Sequence, residues 1–434
     1  MSVSAPPTTL PRLLVGMPAR GAMTLEHHLE IHGDLPPFAR RRRDSALALI
    51  NELERSGLRG RGGAAFPTAM KMTAVAVARG RAIVVANGCE GEPASFKDRL
   101  LLERLPHLII DGALLAAHAV DASEVLIAID EHATRAVRAT DKALRERTDL
   151  YRGTPPVRII TTPSGYVSGQ EAAAVNFLNG GAAKPTAASA PIFERGVKGR
   201  PTLVNNVETL AHIALIARYG AIWFRELGTD TEPGSTLVTL GGAVVYPGVL
   251  EIETGTPIAS LVHAAGGATE ALRAFLLGGY AGTWVSGDVG YQLPLSRDRV
   301  SDVGASLGAG VVFALPNSAC PVSEVAFAAR WLSTQSAGQC GPCVHGLDAI
   351  ATAIDQMRVG TGTDGALQRI RRWASLSSAR GACAHPDGAA RFIASATEVF
   401  ANELADHACR GPCTGCLQPH LLPTPVAPPT QRAA

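Results

Sequence analysis

The sequence predicts a parallel α/β domain, then a small α+β module, then a helical bundle, and three observations carry that prediction. Between about residues 46 and 235, apolar strand-like runs alternate with helical ones: "AIVVANG", "LPHLIIDGALLAAHAV", "EVLIAID", "ATRAVRATDKALRERT" and "VRIITTP". Strand and helix in strict alternation is the pattern of a parallel sheet with crossover helices. After "GTDTEPG", the run "STLVTLGGAVVYPGVLEIETGTP" from Ser235 leads into a module spanning 236–318, with two strands joined by a Tyr-Pro-Gly turn and followed by a Gly-Thr-Pro helix entry. From 319 to 410, "SEVAFAARWLSTQSAGQC", "VHGLDAIATAIDQMRVG", "GALQRIRRWASLSS" and "GAARFIASATEVFANELADHA" all have helical period, which makes a bundle of about four helices.

Residues 1–45 read as a Pro-interrupted extension with one short helix around "MTLEHHLEIHG", and 411–434 as a Cys- and Pro-rich tail. The last stretch, "LLPTPVAPPTQRAA", has the composition of a disordered segment. At 434 residues the chain exceeds what one core usually serves, and no internal repeat is present.

Charge excludes some functions. Forty Lys and Arg face 38 Asp and Glu, so no overall basic field argues for nucleic acid or an anionic membrane. The run Arg40 to Arg43 lacks interleaved aromatics and reads as a solvated helix start. The amino terminus shows no secretory signal, and the most apolar run is broken by Asp111 and His118, too short for a membrane span. A cytoplasmic protein without membrane insertion is expected. Six of the eight cysteines crowd into residues 340–416, which in a reducing compartment points to metal rather than disulfides.

The segment "SGLRGRGGAAFPTAMK", residues 56–71, is rich in glycine, carries Arg59, Arg61 and Lys71, and has no acidic side chain. Glycines let backbone N–H groups approach a ligand and the cations neutralise an anion, so phosphate is its natural guest. No Gly-Lys-Ser/Thr follows, which excludes a P-loop, and a loose Gly60-x-Gly62-x-x-Ala65 match to a dinucleotide fingerprint is weak alone. Next, "NGCEGEPASFKDR" places Asn87, Glu90 and Glu92 just after a strand, where polar groups meet a heterocycle and a ribose. With "GYVSGQEAA" and "GRPTLVNNVETL" in the same order, the chain from about residue 50 to 400 resembles the flavin-carrying, NADH-oxidising subunit of respiratory complex I and its relatives in NAD-linked hydrogenases and formate dehydrogenases.

The resemblance implies an FMN-binding α/β domain, a β-grasp module and a helical bundle that holds a 4Fe-4S cluster. By motif position, Gly60, Arg61, Gly62, Gly63 and Lys71 would cradle FMN, and Asn87, Glu90, Asn205 and Asn206 would line it. Phe66, Glu92, Tyr166 and Glu171 would sit toward NADH, with Glu92 and Glu171 positioning it. Hydride transfer needs positioning rather than a general base, so no histidine is nominated as catalytic. Three departures bear on the nicotinamide side: Cys89 stands where the family usually has Asp, Gln170 precedes Glu171 where it has a second acid, and an aromatic expected near Lys71 is missing. Such losses could weaken NADH binding or alter discrimination against NADPH. The filler reading of Cys89 is preferred to a reactive thiol.

Cys340-x2-Cys343 and the distant Cys383 can bind one metal centre. In the family pattern a further cysteine precedes them, and here that position is Ala337. A fourth ligand could come from His385, the tail cysteines, Cys320 or an exogenous molecule, or the cluster could be 3Fe-4S. Cys409, Cys413 and Cys416 leave three readings open: a donated fourth ligand, a second metal site, or unpaired thiols. Cys320 lies in an apolar segment and reads as core, and "GGYAGTW" as lining an entrance to the site.

The expected activity is NADH oxidation on FMN with electrons leaving through an iron–sulfur cluster to an acceptor protein, a ferredoxin or a companion redox subunit of a hetero-oligomer. The alternatives are a non-catalytic flavin-fold assembly subunit and a cluster-independent NAD(P)H flavin reductase.

Overall fold

Strands and helices alternate through the first half of the chain in the computed structural model, which describes residues 6–35, 43–147, 154–186 and 190–424. They run α1 (Leu25–His32), α2 (Arg43–Ser56), α3 (Thr68–Val77), β1 (Ala82–Gly88), α4 (Lys97–Arg104), α5 (Pro106–Ala119), β2 (Ala122–Asp130), α6 (Thr134–Glu146), β3 (Val157–Thr162), α7 (Glu171–Leu178), β4 (Thr202–Asn206) and α8 (Val207–Arg225), with α8 kinked at Gly220. All five quoted runs form the predicted element. The four strands are parallel, in the order β3-β2-β1-β4. β1 is buried along its length except at Asn87, as a central strand covered on both faces must be.

The long apolar run became α5, buried nearly all round between the sheet and α8. Its Gly112 permits the close crossing: a Cβ there would lie 1.8 Å from the Leu210 carbonyl oxygen. Asp111, which broke the run in sequence, is fully buried and bonded to Arg147, Arg218 and His28. Burial pushes its pKa up, but the two guanidinium groups hold the carboxyl well below the usual range. The predicted short helix near residue 28 is thereby tied to α5.

A second sheet follows, built from β5 (Ser235–Gly242), β6 (Gly248–Glu253), α9 (Ile258–Ala264), β7 (Leu272–Leu277), β8 (Thr283–Ser286), α10 (Gly287–Gln292), α11 (Arg297–Asp302) and β9 (Val311–Pro316). The strand order is β6-β5-β9-β7-β8. The β5–β6 pair is the antiparallel hairpin expected around Tyr246-Pro247, and α9 starts after Gly255-Thr256-Pro257. The remaining long helices are α12 (Pro321–Thr334), α13 (Asp348–Arg358), α14 (Ala366–Ser377), α15 (His385–Val399) and α16 (Ala401–Arg410). The last predicted helix is therefore two. It breaks at Phe400 (φ −113°, ψ 30°), whose buried ring meets Trp284 edge-on at 5.1 Å; no glycine or proline marks the break.

The tail corrects the sequence reading. Leu421 and Leu422 donate their backbone N–H groups to the Glu324 carboxylate at 2.9 Å, and Leu422 is buried. Tyr280 donates its hydroxyl to the Pro423 carbonyl at 2.6 Å. Residues 421–424 are thus packed on the bundle, because the helix bearing Glu324 offers a buried acceptor for two successive donors. Residues 425–434 and Arg40–Arg42 lie outside the described residues.

One buried ion network joins the two sheets. Lys97 Nζ lies 2.7 Å from Asp98 and 2.9 Å from Glu208, all three buried. Glu208 accepts in addition from Thr236 Oγ1 (3.0 Å) and the Leu237 N–H (2.9 Å) on β5. Burial raises its pKa, yet Lys97 and His212 hold it far below the normal range. Removing one partner of such a set leaves a buried charge uncompensated, so Glu208→Ala is expected to cost about 3 kcal/mol, read as a large fall in thermal midpoint.

Candidate functional site

The chain visits β1, β2 and β3 in one direction, and β4 then pairs with the opposite edge of β1. The crevice beyond the carboxyl ends of β1 and β4 is therefore a topological switch point, where open parallel sheets bind ligands. Asn87 and Asn206 are register partners at that end, with Asn205 beside Ala86. The glycine-rich loop sits against them: a Cβ on Gly62 would fall 3.2 Å from Asn206 Cβ. It is anchored by the Arg61 N–H donating to Thr209 Oγ1 at 2.8 Å, in the first turn of α8, and by the Gly60 N–H donating to the Phe66 carbonyl. Gly63 (φ 100°) and Ala65 (φ 47°) take the left-handed conformation, costly for a residue with a Cβ.

The predicted lining residues differ in what they have free. Asn205 Nδ2 is buried without a partner among the described residues. Asn87 donates to the Gly169 carbonyl at 2.8 Å, while Asn206 caps α8 through the Glu208 N–H and donates to Asp98 at 2.6 Å. Lys71 Nζ bonds Glu171 at 2.8 Å and the Val204 carbonyl at 2.6 Å, one residue before Asn205. The Glu90 carboxylate accepts from Ser95 Oγ and from the N–H groups of Asp98 and Arg99 at the start of α4. The Arg61 guanidinium turns toward the second sheet, to Glu232 (3.3 Å) and the Ser235 carbonyl (3.0 Å). A cleft opens there, lined in part by Gly60, Gly63, Lys97 and Arg297 but by none of the three asparagines.

Glu92 and Tyr166 form a second group, toward the bundle. Glu92 is buried and accepts from the N–H groups of Tyr280 (3.0 Å) and Ala94 (3.2 Å). Tyr166 stands edge-on to Trp331 at 5.6 Å and lies 5.3 Å from the His385 ring, its N–H bonded to Gln335. A Cβ on Gly91 would meet the Gly165 carbonyl at 2.5 Å, and one on Gly279 would meet the Glu92 carboxyl, so both approaches require glycine. Tyr280 and Trp284 of "GGYAGTW" are buried rather than exposed at an entrance, packed on Trp331 and Phe400 respectively. Phe66 is half exposed. Cys89 lies 3.1 Å from Thr162 Oγ1, and burial pushes its thiol up to about 12, consistent with a filler. Sequence reasoning gave no role to Lys97, Glu208 or Thr209, and placed Tyr280 at an entrance rather than behind Glu92. The quoted "KDR" and "VETL" runs held the first three but not the information that they meet.

The bundle cysteines converge beyond the carboxyl end of α12. Cys343 is buried in the core of the bundle with Cys340 packed against the same cluster, and Cys383 is near enough to act electrostatically on Cys343. Ala337 is buried beside them in sequence. His385 is bonded through Nε2 to the Leu332 carbonyl at 2.9 Å, and its buried Nδ1 has no partner among the described residues. Cys320 sits at the other end of α12, where it meets Cys416 (3.3 Å), so neither it nor Cys416 lies with the bundle cysteines. The donor set fits both groups that the sequence suggested: a glycine cradle with an unpaired buried amide for a flavin, and three thiols for an iron–sulfur cluster.

The comparisons with known proteins point to the same two cofactors. Residues 53–215 match the Nuo51 FMN-binding domain, 237–279 the SLBB domain, and 323–407 the NADH-ubiquinone oxidoreductase-F iron-sulfur binding region. An F-type (F 2) subunit of the NADH-quinone oxidoreductase of Rhizobium meliloti is 32% identical over 84% of this chain and 89% of its own length. Its Escherichia coli counterpart is 31% identical over 82% and 83%. The chain belongs to the family of NADH-quinone oxidoreductase F subunits. A chain of an NAD+-reducing [NiFe]-hydrogenase superposes with a TM-score of 0.79 at 28% identity, covering 86% of this chain, which spans 64% of that one. As a member of that family the protein is an NADH dehydrogenase module, with an FMN domain and an iron–sulfur region through which electrons from NADH pass.

Burial pushes the Glu92 carboxyl up to about 8 from 4.5, against the two N–H donors that favour its charged form. Between those values folding takes up a proton at Glu92, so the stability it contributes is present at low pH and is lost as pH rises through about 8. Glu92→Gln is expected to flatten that part of the decline in thermal midpoint between about pH 5 and pH 8.

Proposed function

We propose that Gly60, Gly62, Gly63 and Lys71 cradle FMN at the β1–β4 crevice, with Asn87, Asn205 and Asn206 along its polar edges. The observation that carries this reading is the unpaired, buried amide of Asn205 at a switch point floored by a glycine loop. Bound there, FMN would accept hydride from NADH, and a cluster at the bundle would carry single electrons onward. Arg61 acts through its backbone N–H, which fixes the loop on α8, while its guanidinium braces the second sheet. Glu90 acts by holding the start of α4 and with it Lys97 and Asp98. Half-exposed Phe66 offers a face for the nicotinamide nucleotide, and the Lys71–Glu171 pair orients both charges at the mouth of the crevice. Glu92 and Tyr166 close the site on the side of the bundle.

Cys340, Cys343 and Cys383 hold the cluster, 4Fe-4S or 3Fe-4S, with Ala337 leaving one position to a ligand other than a family cysteine. The functional units are 46–235 for FMN and NADH, 236–318 as a β-grasp module, 319–410 as the cluster-binding bundle, with the extension 1–45 and the tail 411–434 at either end. The acceptor is a ferredoxin or a companion redox subunit of a hetero-oligomer. A cytoplasmic location is in keeping with the described residues, among which no helix is long and apolar enough to cross a membrane.

NADH added anaerobically to the purified chain is expected to bleach the flavin bands; flavin that stays oxidised sinks the reading. Gly62→Val, which sets a branched side chain against Asn206, is expected to lower FMN occupancy at least tenfold, equivalent to about 1.4 kcal/mol, by absorbance of the desalted protein. Cys383→Ser is expected to lose iron and reduction of a protein acceptor while NADH still bleaches the flavin.

A further inference from the structure

The most concentrated set of metal ligands lies away from the flavin crevice and from the bundle cysteines. Cys320, His407, Cys413 and Cys416 each offer one ligand atom, and the four atoms lie within 4.8 Å of one another. Cys320 Sγ is 3.3 Å from Cys416 Sγ and 3.6 Å from His407 Nε2; Cys416 Sγ is 3.9 Å from His407 Nδ1. A tetrahedral ion with metal–sulfur bonds of about 2.3 Å sets its thiolates about 3.8 Å apart, so the spacing suits a single ion. Cys320 caps the first turn of α12, whereas Cys340 follows its last. Fourteen residues of helix put these ends about 21 Å apart, which makes this a separate centre.

We propose that these four residues form a closed structural Zn2+ site. Three thiolates and an imidazole are the soft and borderline donors that zinc takes, and four protein ligands leave no open position for catalysis. The second coordination layer is also built. The Ser323 N–H donates to Cys320 Sγ at 3.4 Å, and the Cys416 N–H donates to the Cys413 carbonyl at 3.1 Å, closing the tight turn that brings the two thiols together. A Cβ on Gly415 would lie 3.1 Å from both Cys320 Cβ and Cys320 N, so the turn reaches Cys320 only with glycine there. Cys409, the remaining tail cysteine, is exposed and outside the group.

The ion would fasten the tail to the bundle. Immediately after the turn, His420 stacks on Phe327 at 4.3 Å, Glu324 takes the N–H groups of Leu421 and Leu422, and Pro423 receives the Tyr280 hydroxyl. Tyr280 is the residue whose N–H holds Glu92. Zinc therefore secures a strap that ends behind the Glu92 pocket.

The test uses the full chain, produced with both iron and zinc supplied, and measures zinc, iron and FMN per chain. One zinc per chain is expected, with a zinc-edge X-ray absorption shell of three sulfurs at about 2.3 Å and one nitrogen at about 2.0 Å. In Cys413→Ser/Cys416→Ser, zinc is expected to fall from one per chain to none, with iron and FMN unchanged and hydrogen exchange faster across residues 409–424. Substoichiometric zinc in the unmodified chain, a zinc shell of other composition, or iron lost with the tail cysteines would overturn the proposal. The absorption spectrum of the unmodified chain decides the matter even if the double variant does not fold.

Discussion

A lysine ammonium without water must be surrounded by acids, and the placement of Lys97 between Asp98 and Glu208 fixes how the two sheets meet. Asp98 belongs to the first turn of α4, which follows β1, and Glu208 to the first turn after β4. The same Glu208 carboxylate takes two donors from β5. Asn206 is drawn in as well, since its amide donates to Asp98 while its oxygen caps α8. Asn206, at the crevice, is thus held by a network whose charged centre is Lys97. Preorganisation of this kind is what a site relying on binding geometry rather than on a protein base requires.

Much of this was legible locally. β1 is recognisable because a doubly covered strand must be apolar throughout, and the hairpin at Tyr246-Pro247 because few sequences turn that way. The three asparagines and the glycine loop could be named from motif order. What sequence could not reveal was pairing at a distance. Glu90 looks like a ligand-facing acid until α4 is seen to present two backbone donors to it, with the Ser95 hydroxyl as a third. Cys320 reads as core, and it is buried, yet α16 brings a histidine and the tail two thiols to its sulfur. The break at Phe400 carries no local signal because the cause is Trp284, an aromatic from the second sheet.

The helix α12 separates two chemistries. At its carboxyl end lie the thiols assigned to electron transfer, with His385 hydrogen-bonded to Leu332. At its amino end lie ligands suited to a redox-inert ion. Between them Trp331, Tyr280 and Tyr166 pack edge to face, so a change at either end would be transmitted through rigid rings rather than through loops.

The parallel pairing of Asn87 with Asn206 has a kinetic side. The walls of the crevice come from stretches of chain more than a hundred residues apart, and the intervening β2 and β3 complete the opposite edge of the sheet. Contacts of such sequence separation form late, because loop closure must precede them. The crevice therefore exists only once β1 and β4 have paired, and neither stretch of chain can form it alone.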